Sequence, residues 1–219
     1  MFSKEWNKIY KSNLQLSIWP WNDLISLVNK YRKKTKKKIR VLELGCGAGA
    51  NIPFLQSLNY EYYSIEGSSE IVKKIKKKYP KLKRRIVIGD FTKEQPFKNK
   101  FDIIIDRGSL THNDNQSIKK ALKLIFKSLS NDGLFISIDW FSKKDSDFKK
   151  GVRIDSFTKT KIKTGKLKNV GIIYFTDISN LKKLFNKWKI LEIYEKTYNY
   201  YKPNKNFKRA AWTIIAKKN

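Results

Sequence analysis

Acidic and glycine residues stand together in Glu43-Leu44-Gly45-Cys46-Gly47-Ala48-Gly49-Ala50-Asn51, at the end of an apolar run that begins at Val41. Glycine has no Cβ, so a loop of this kind lets backbone approach a ligand closely. A helix starting behind it turns unpaired N–H groups and a positive dipole end toward the same place. A nucleotide-like cofactor is the expected occupant. Gly45-x-Gly47-x-x-Ala50 fits the dinucleotide fingerprint, which is a weak signal by itself. Glu66 stands 21 residues after Gly45, the spacing at which a carboxylate meets a pair of ribose hydroxyls. A pyrophosphate in this loop would face two carboxylates, Glu43 and Asp106, which argues against a nicotinamide dinucleotide.

Beyond the loop, Asp106-Arg107-Gly108-Ser109-Leu110-Thr111-His112-Asn113-Asp114 follows an apolar strand, where an open sheet edge would receive ligands. His112 is a candidate general base or substrate-orienting group. Arg107 could hold an anionic ligand or pair with Asp114. Asp139-Trp140-Phe141 ends the next strand, with Asp139 facing the ligand and the two aromatic rings excluding water. Arg153 and Asp155 extend the same surface.

Short β-rich runs alternate with helical patterns, which specifies a parallel α/β sheet. The strands are expected at Ile39–Leu44, Tyr60–Ile65, Arg85–Ile88, Phe101–Asp106 and Leu134–Asp139. Ile103-Ile104-Ile105 is continuously apolar, as in a strand covered on both faces. Three stripes mark core-facing helices: Ile71, Val72, Ile75 and Tyr79; Ile118, Ala121, Leu122, Ile125, Phe126 and Leu129; Ile178, Leu181, Leu184, Phe185 and Trp188. Ser68 and Asp177 suit N-caps. Residues 1–35 form an aromatic arm, which includes Trp19-Pro20-Trp21, with a helix over about 21–32. Residues 140–175 are a connection long enough to be a lid. Lys189–Glu195 and Ala211–Ala216 close the chain as a hairpin joined by an irregular aromatic and basic stretch.

Composition narrows the class further. One cysteine, Cys46, leaves no intramolecular disulfide, and with a single histidine it argues against a metal site. No signal peptide or membrane-length apolar run is present, so a cytoplasmic protein is expected. The net charge of +30 attracts polyanions, but only seven of the 49 basic residues are arginine and the lysines spread along the whole chain. A nucleic-acid reader favours the planar fork of arginine, so codon composition explains the charge better than polyanion binding.

Five segments in order resemble the class I S-adenosylmethionine (SAM)-dependent methyltransferases: Glu43-x-Gly45-x-Gly47-x-Gly49, Glu66, Gly89-Asp90-Phe91, Phe101–Asp106 and Leu129–Phe135. The resemblance implies a doubly wound, mostly parallel seven-stranded sheet with helices on both faces and a C-terminal antiparallel hairpin. It implies one domain: an arm (1–35), a SAM-binding core (36–139), a lid (140–175) and a C-terminal helix and hairpin (176–219). Glu43, Gly45, Cys46, Gly47, Gly49, Asn51, Glu66, Gly67, Ser68, Asp90, Phe91 and Asp106 would hold the cofactor. His112 and Asp106 would act in catalysis, and Arg107, His112, Asp139, Trp140 and Arg153 would bind the acceptor. Asp106-Arg107-Gly108-Ser109 departs from the Asn/Asp-Pro-Pro-Tyr/Phe of amino-methylating enzymes, and no Pro-Cys nucleophile is present. A small or medium-sized acceptor is expected, with the lysine-rich lid suiting an anionic one. The alternatives are an RNA methyltransferase on the same fold and a SAM-binding subunit without turnover.

Overall fold

A computed structural model describes residues 5–32, 35–203 and 206–218. Five strands run parallel: β1 (Arg40–Leu44), β2 (Glu61–Glu66), β3 (Ile86–Ile88), β4 (Phe101–Arg107) and β5 (Leu129–Phe141). A small antiparallel sheet follows, made of β6 (Val152–Arg153), β7 (Thr158–Thr160) and β8 (Ile173–Tyr174). The hairpin of β9 (Trp188–Tyr200) and β10 (Phe207–Lys218) then completes the main sheet, in the order β3-β2-β1-β4-β5-β10-β9. The order reverses between β1 and β4, and a crevice opens there at the carboxyl ends of the strands. This is the seven-stranded, mostly parallel sheet with a terminal hairpin that the resemblance implies.

The apolar triplet of β4 shows why the sheet is covered twice. Ile103 and Ile105 pack with Val41, Tyr62, Ile71, Val72 and Ile75, while Ile104 joins Leu42, Ile118, Leu122 and Ile125 on the other face. Side chains alternate along a strand, so both faces need an apolar partner. The partners come from α2 (Asn22–Tyr31), α4 (Ser69–Lys78) and α5 (Asn115–Ser128), with a short α3 (Ile52–Ser57) behind the glycine loop and α1 (Glu5–Lys11) and α6 (Ile178–Leu184) near the ends. Ser68, Asp114 and Asp177 cap α4, α5 and α6 through their side-chain oxygens. α1 is tied to α4, because the Ser68 hydroxyl donates to Asn7 Oδ1 (2.6 Å) and Lys74 Nζ to Asn13 Oδ1 (3.0 Å).

Several boundaries differ from the sequence expectation. β5 begins at Leu129, which the helical stripe had included, and carries a bulge before Leu134. Gly133 is required there, since a Cβ would lie 2.8 Å from the Ser130 carbonyl. Trp188 opens β9 instead of ending a helix, and reaches Phe126 and Phe135 from the sheet. The aromatic stretch between the last strands is mostly ladder: Phe207 pairs with Tyr200 and Arg209 with Tyr198. Residues 140–175 form the small sheet over their own apolar cluster, Phe141, Ile162, Leu167, Ile173 and Phe175.

One irregularity bears directly on the site. Asp139 adopts φ +62°, and the β5–β10 register slips there, with Trp140 opposite Trp212 but Ser137 opposite Ile214. A left-handed residue in a strand is a bulge that re-aims its neighbours. Trp140 therefore turns into the core beside Phe135 and Phe185, on the face that strict alternation denies it.

Candidate functional site

A cavity of about 340 Å³ lies at the carboxyl ends of the strands. Its floor is the glycine loop, where Gly45, Gly47 and Gly49 all have positive φ. A Cβ on Gly45 would lie 2.3 Å from the Ser109 hydroxyl, so the β1 and β4 tips approach each other only because that position is glycine. The N–H groups of the three glycines are already used. Gly45 N–H donates to Ile65 (2.9 Å), Gly49 N–H to Cys46 (2.9 Å) and Gly47 N–H to Glu66 Oε2 (2.9 Å).

Glu66 ends β2 in the cavity wall, with Oε1 accepting from the Ser68 N–H at 2.9 Å. Burial raises its proton affinity, and the N–H groups of Ser68, Gly47 and Gly67 oppose that rise. The carboxylate keeps a lone pair beyond these three. Glu43 is held behind the loop by Tyr62 OH (2.6 Å) and Asn51 Nδ2 (2.7 Å), and burial pushes its proton affinity up as well. Asp90 and Phe91 line the same half, beyond β3, and Asp90 Oδ1 accepts from the Thr92 hydroxyl at 2.6 Å. Tyr10 of α1 is buried over Gly47. Burial and the nearby Glu66 keep its phenol protonated.

The other half of the cavity is built from the tips of β4 and β5, the start of β10 and the connection between β7 and β8. Arg107 Nη2 lies 3.0 Å from Asp139 Oδ2 and 3.6 Å from Asp23 Oδ2, with its guanidinium 3.6 Å over the Trp21 ring. Its partners are thus Asp139 and Asp23, whereas Asp114 is used to cap α5. His112 sits in a tight turn after β4, between Trp6 (4.9 Å) and Phe141 (5.9 Å). Burial lowers its pKa to about 4; a hydrogen bond to the Ile172 backbone works the other way. The imidazole is therefore neutral near pH 7, and its Nδ1 is buried with no hydrogen-bond partner among the described residues.

Of the expected site residues, Glu43, Gly45, Cys46, Gly47, Asn51, Glu66, Gly67, Asp90, Phe91, Arg107, His112 and Asp139 line this one cavity. Gly49 supports the loop from beneath, packed on Ile52. Four residues are placed elsewhere. Asp106, expected in both cofactor binding and catalysis, is fully buried and faces away from the cavity. Its carboxylate accepts from Ser109 N–H (2.9 Å), Leu110 N–H (3.0 Å), the Ser137 hydroxyl (2.6 Å) and Trp140 Nε1 (3.2 Å), which uses up its lone pairs. Even so, burial pushes its pKa up to about 6. Trp140, expected over the acceptor, is that donor in the core. Ser68 is consumed by capping α4 and by Asn7. Arg153 lies exposed on β6 and bonds Ser156 and the Asp155 carbonyl. Trp19 is 77% exposed, and Trp21 alone of that cluster reaches the cavity. Sequence reasoning missed Tyr10, Ser109, Lys166 and Arg209. No local pattern marks the last two, which lie far along the chain from every motif.

The donor set tests the cofactor class. A pyrophosphate would find three loop N–H groups occupied and carboxylates around it. A ligand with an ammonium, a sulfonium and a ribose diol instead meets acceptors, which suits SAM. Among the described residues, no three His, Cys, Asp or Glu side chains cluster as a metal site would, and no helix is long and apolar enough to cross a membrane.

Comparison with known proteins agrees with this geometry. The family model described as a methyltransferase domain matches residues 15–213. Solved structures with the same fold include TehB from Haemophilus influenzae (16% identity, TM-score 0.66, 97% of this chain and 67% of that one). An S-adenosylmethionine-dependent methyltransferase from Clostridium acetobutylicum superposes with TM-score 0.64 at 17% identity, over 98% of this chain and 96% of its own. The 1,6-didemethyltoxoflavin-N1-methyltransferase of Burkholderia thailandensis, holding its substrate and S-adenosylhomocysteine, gives TM-score 0.56 at 15% identity, over 84% and 72%. No curated protein matches the chain. The fold and the site define a Rossmann-like, class I methyltransferase of the SAM-dependent type. The chain belongs to the methyltransferase-domain family.

Proposed function

We propose that the protein transfers the methyl group of SAM to a small or medium-sized acceptor that enters on the β4–β5 side of the cavity. The observation that carries this reading is the extent of the cavity. It continues past Gly108 to Asp139, Phe141, Val170 and Arg209, which a cofactor-only pocket would not need. That also speaks against a subunit that binds SAM without turnover.

When bound, SAM supplies a methyl group on a sulfonium that is already activated. Glu66 would hold the ribose, Asp90 and Phe91 the adenine, and the Gly45–Gly47 loop the amino-acid portion. The protein's remaining task is to orient the acceptor for in-line attack. His112 is the group suited to this: neutral at working pH, wedged between two rings, with a lone pair that no donor among the described residues satisfies. Once a small ring rotation opens that buried atom to the cavity, a hydroxyl or amine of the acceptor could donate to Nδ1 and lose its proton there as it reacts. Arg107 and Asp139, paired with each other, frame the entrance.

Calorimetric titration with S-adenosylhomocysteine, SAM and NAD tests the reading. Binding of the first two in the micromolar range, about −8 kcal/mol, with no heat from NAD, is expected. Binding of NAD alone would overturn it.

A further inference from the structure

We propose that Arg209 and Lys166 anchor an anionic group, a carboxylate or a phosphate, on an acceptor with an apolar body, and so decide which acceptors are taken. This rests on the methyltransferase reading and deepens it.

Charge is segregated within the cavity. Glu43, Glu66 and Asp90 line the half beneath β1, β2 and β3, while Arg107, Lys166 and Arg209 line the other. The exception in the second half is Asp139, and its carboxylate is committed to Arg107 at 3.0 Å. Two cationic side chains remain to face an incoming molecule. The Arg209 guanidinium is oriented by stacking 4.4 Å over Phe141, the same ring that flanks His112. Arg209 Nη1 lies 3.3 Å from Asp145 Oδ2 but makes no aligned hydrogen bond. Asp145 is itself shared, accepting from the N–H groups of Asp147 (2.9 Å) and Ala210 (3.2 Å). Lys166 Nζ rests 5.2 Å from the Tyr200 ring, and no carboxylate among the described residues pairs with it.

Between these cations the wall is apolar: Phe141, Leu167 and Val170. A planar guanidinium and an ammonium bordering an apolar wall form charge-assisted hydrogen bonds with a carboxylate or phosphate in a partly dehydrated setting. A neutral molecule of the same shape gains nothing from them, and a cation is repelled. Opposite polarity in the two halves also fixes the order of occupancy, with the cationic ligand over β1–β3 and the anionic one toward β10.

The test uses the full chain saturated with S-adenosylhomocysteine and titrated with benzoate, phenyl phosphate and benzamide. Wild type should bind one of the two anions about tenfold more tightly than benzamide, and the stronger one identifies the anion. Lys166→Met should reduce that preference severalfold while leaving S-adenosylhomocysteine affinity unchanged. Lys166 is exposed, so this variant keeps its fold. Arg209→Lys, which retains a charge opposite Asp145, should weaken the anion and spare the cofactor in the same way. Lys163→Met, on an exposed lysine outside the cavity, should change nothing. Equal binding of the anions and benzamide, or anion binding indifferent to both Lys166→Met and Arg209→Lys, would overturn the proposal with the methyltransferase reading intact. Failure of S-adenosylhomocysteine to bind would remove both.

Discussion

Along the open edge of the sheet, the tips of β1, β2 and β3 present Glu43, Glu66 and Asp90, whereas β4, β10 and the β7–β8 connection present Arg107, Arg209 and Lys166. The two halves differ in construction as much as in charge. In the first, carboxylates are held by short, local hydrogen bonds: Glu66 by two backbone N–H groups, Glu43 by Asn51 and Tyr62. In the second, cations are held by rings and by carboxylates from distant segments, with Trp21 and Asp23 on Arg107 and Phe141 and Asp145 on Arg209. The first is a preformed acceptor cradle that suits a cofactor common to many reactions. The second depends on how the arm, the small sheet and the hairpin come together, and it is where an acceptor would be distinguished.

Breaking the cradle should have the largest effect. Gly45→Val forces a branched side chain onto φ +67° and into Ser109. The left-handed backbone and the clash together should cost about 3 kcal/mol or more in stability and abolish S-adenosylhomocysteine binding. Chemical denaturation and calorimetry read the two effects. On the other side, His112→Gln should lower kcat by about 100-fold once an acceptor is in hand, with little change in S-adenosylhomocysteine affinity. Retained turnover would leave His112 a structural wedge between Trp6 and Phe141. Glu66→Gln keeps the shape of the side chain and removes its charge. It should weaken S-adenosylhomocysteine by about 10-fold or more, the value of a charge-assisted bond, without altering acceptor preference.

Smaller effects sharpen the contrast. Asp139→Asn should preserve the bulge, because asparagine tolerates the left-handed region, while Asp139→Ala should lose about 1 kcal/mol. Both free Arg107, so a gain in anion binding common to the two variants separates charge from backbone. His112 also leaves a signature in the pH dependence of stability. Its folded pKa of about 4 lies below the ordinary 6.5, so between these values the unfolded chain binds a proton that the folded one does not. Stability is fully present above pH 6.5 and falls as pH drops toward 4. Asp106, raised to about 6, acts with the opposite sign over part of that range. The difference between wild type and His112→Gln therefore isolates the histidine, with a slope of about 1.4 kcal/mol per pH unit at its steepest within the window.

The half of the cavity under β1–β3 was legible because its residues are local to one another. Glycines at 45, 47 and 49 and an acid at 66 are turns and strand tips within one β-α-β unit, and spacing along the chain is there almost the same as spacing in the fold. Asp106 shows where that equivalence ends. It occupies a strand tip like Glu66, yet the alternation of β4 points it beneath the sheet to Ser137 and Trp140, and its neighbour Arg107 reaches the cavity instead. Sequence spacing placed the residue at the correct end of the correct strand but could not assign its face. Trp140 failed for a related reason. The left-handed residue Asp139 reverses the alternation, and an aspartate in that conformation carries no mark that distinguishes it from one in extended chain.

The amino-acid sequence by itself determined the parallel strands, the glycine loop and the acid at the tip of β2, since each follows from periodicity and turn chemistry over short stretches. Only the tertiary structure decided the acceptor half. Arg107, Lys166 and Arg209 are separated by scores of residues. They meet because β10 runs antiparallel beside β5 and returns the end of the chain to the same edge. Their side chains are ordinary surface cations in the sequence, and become a charged wall only where the fold brings them to the rim of one cavity.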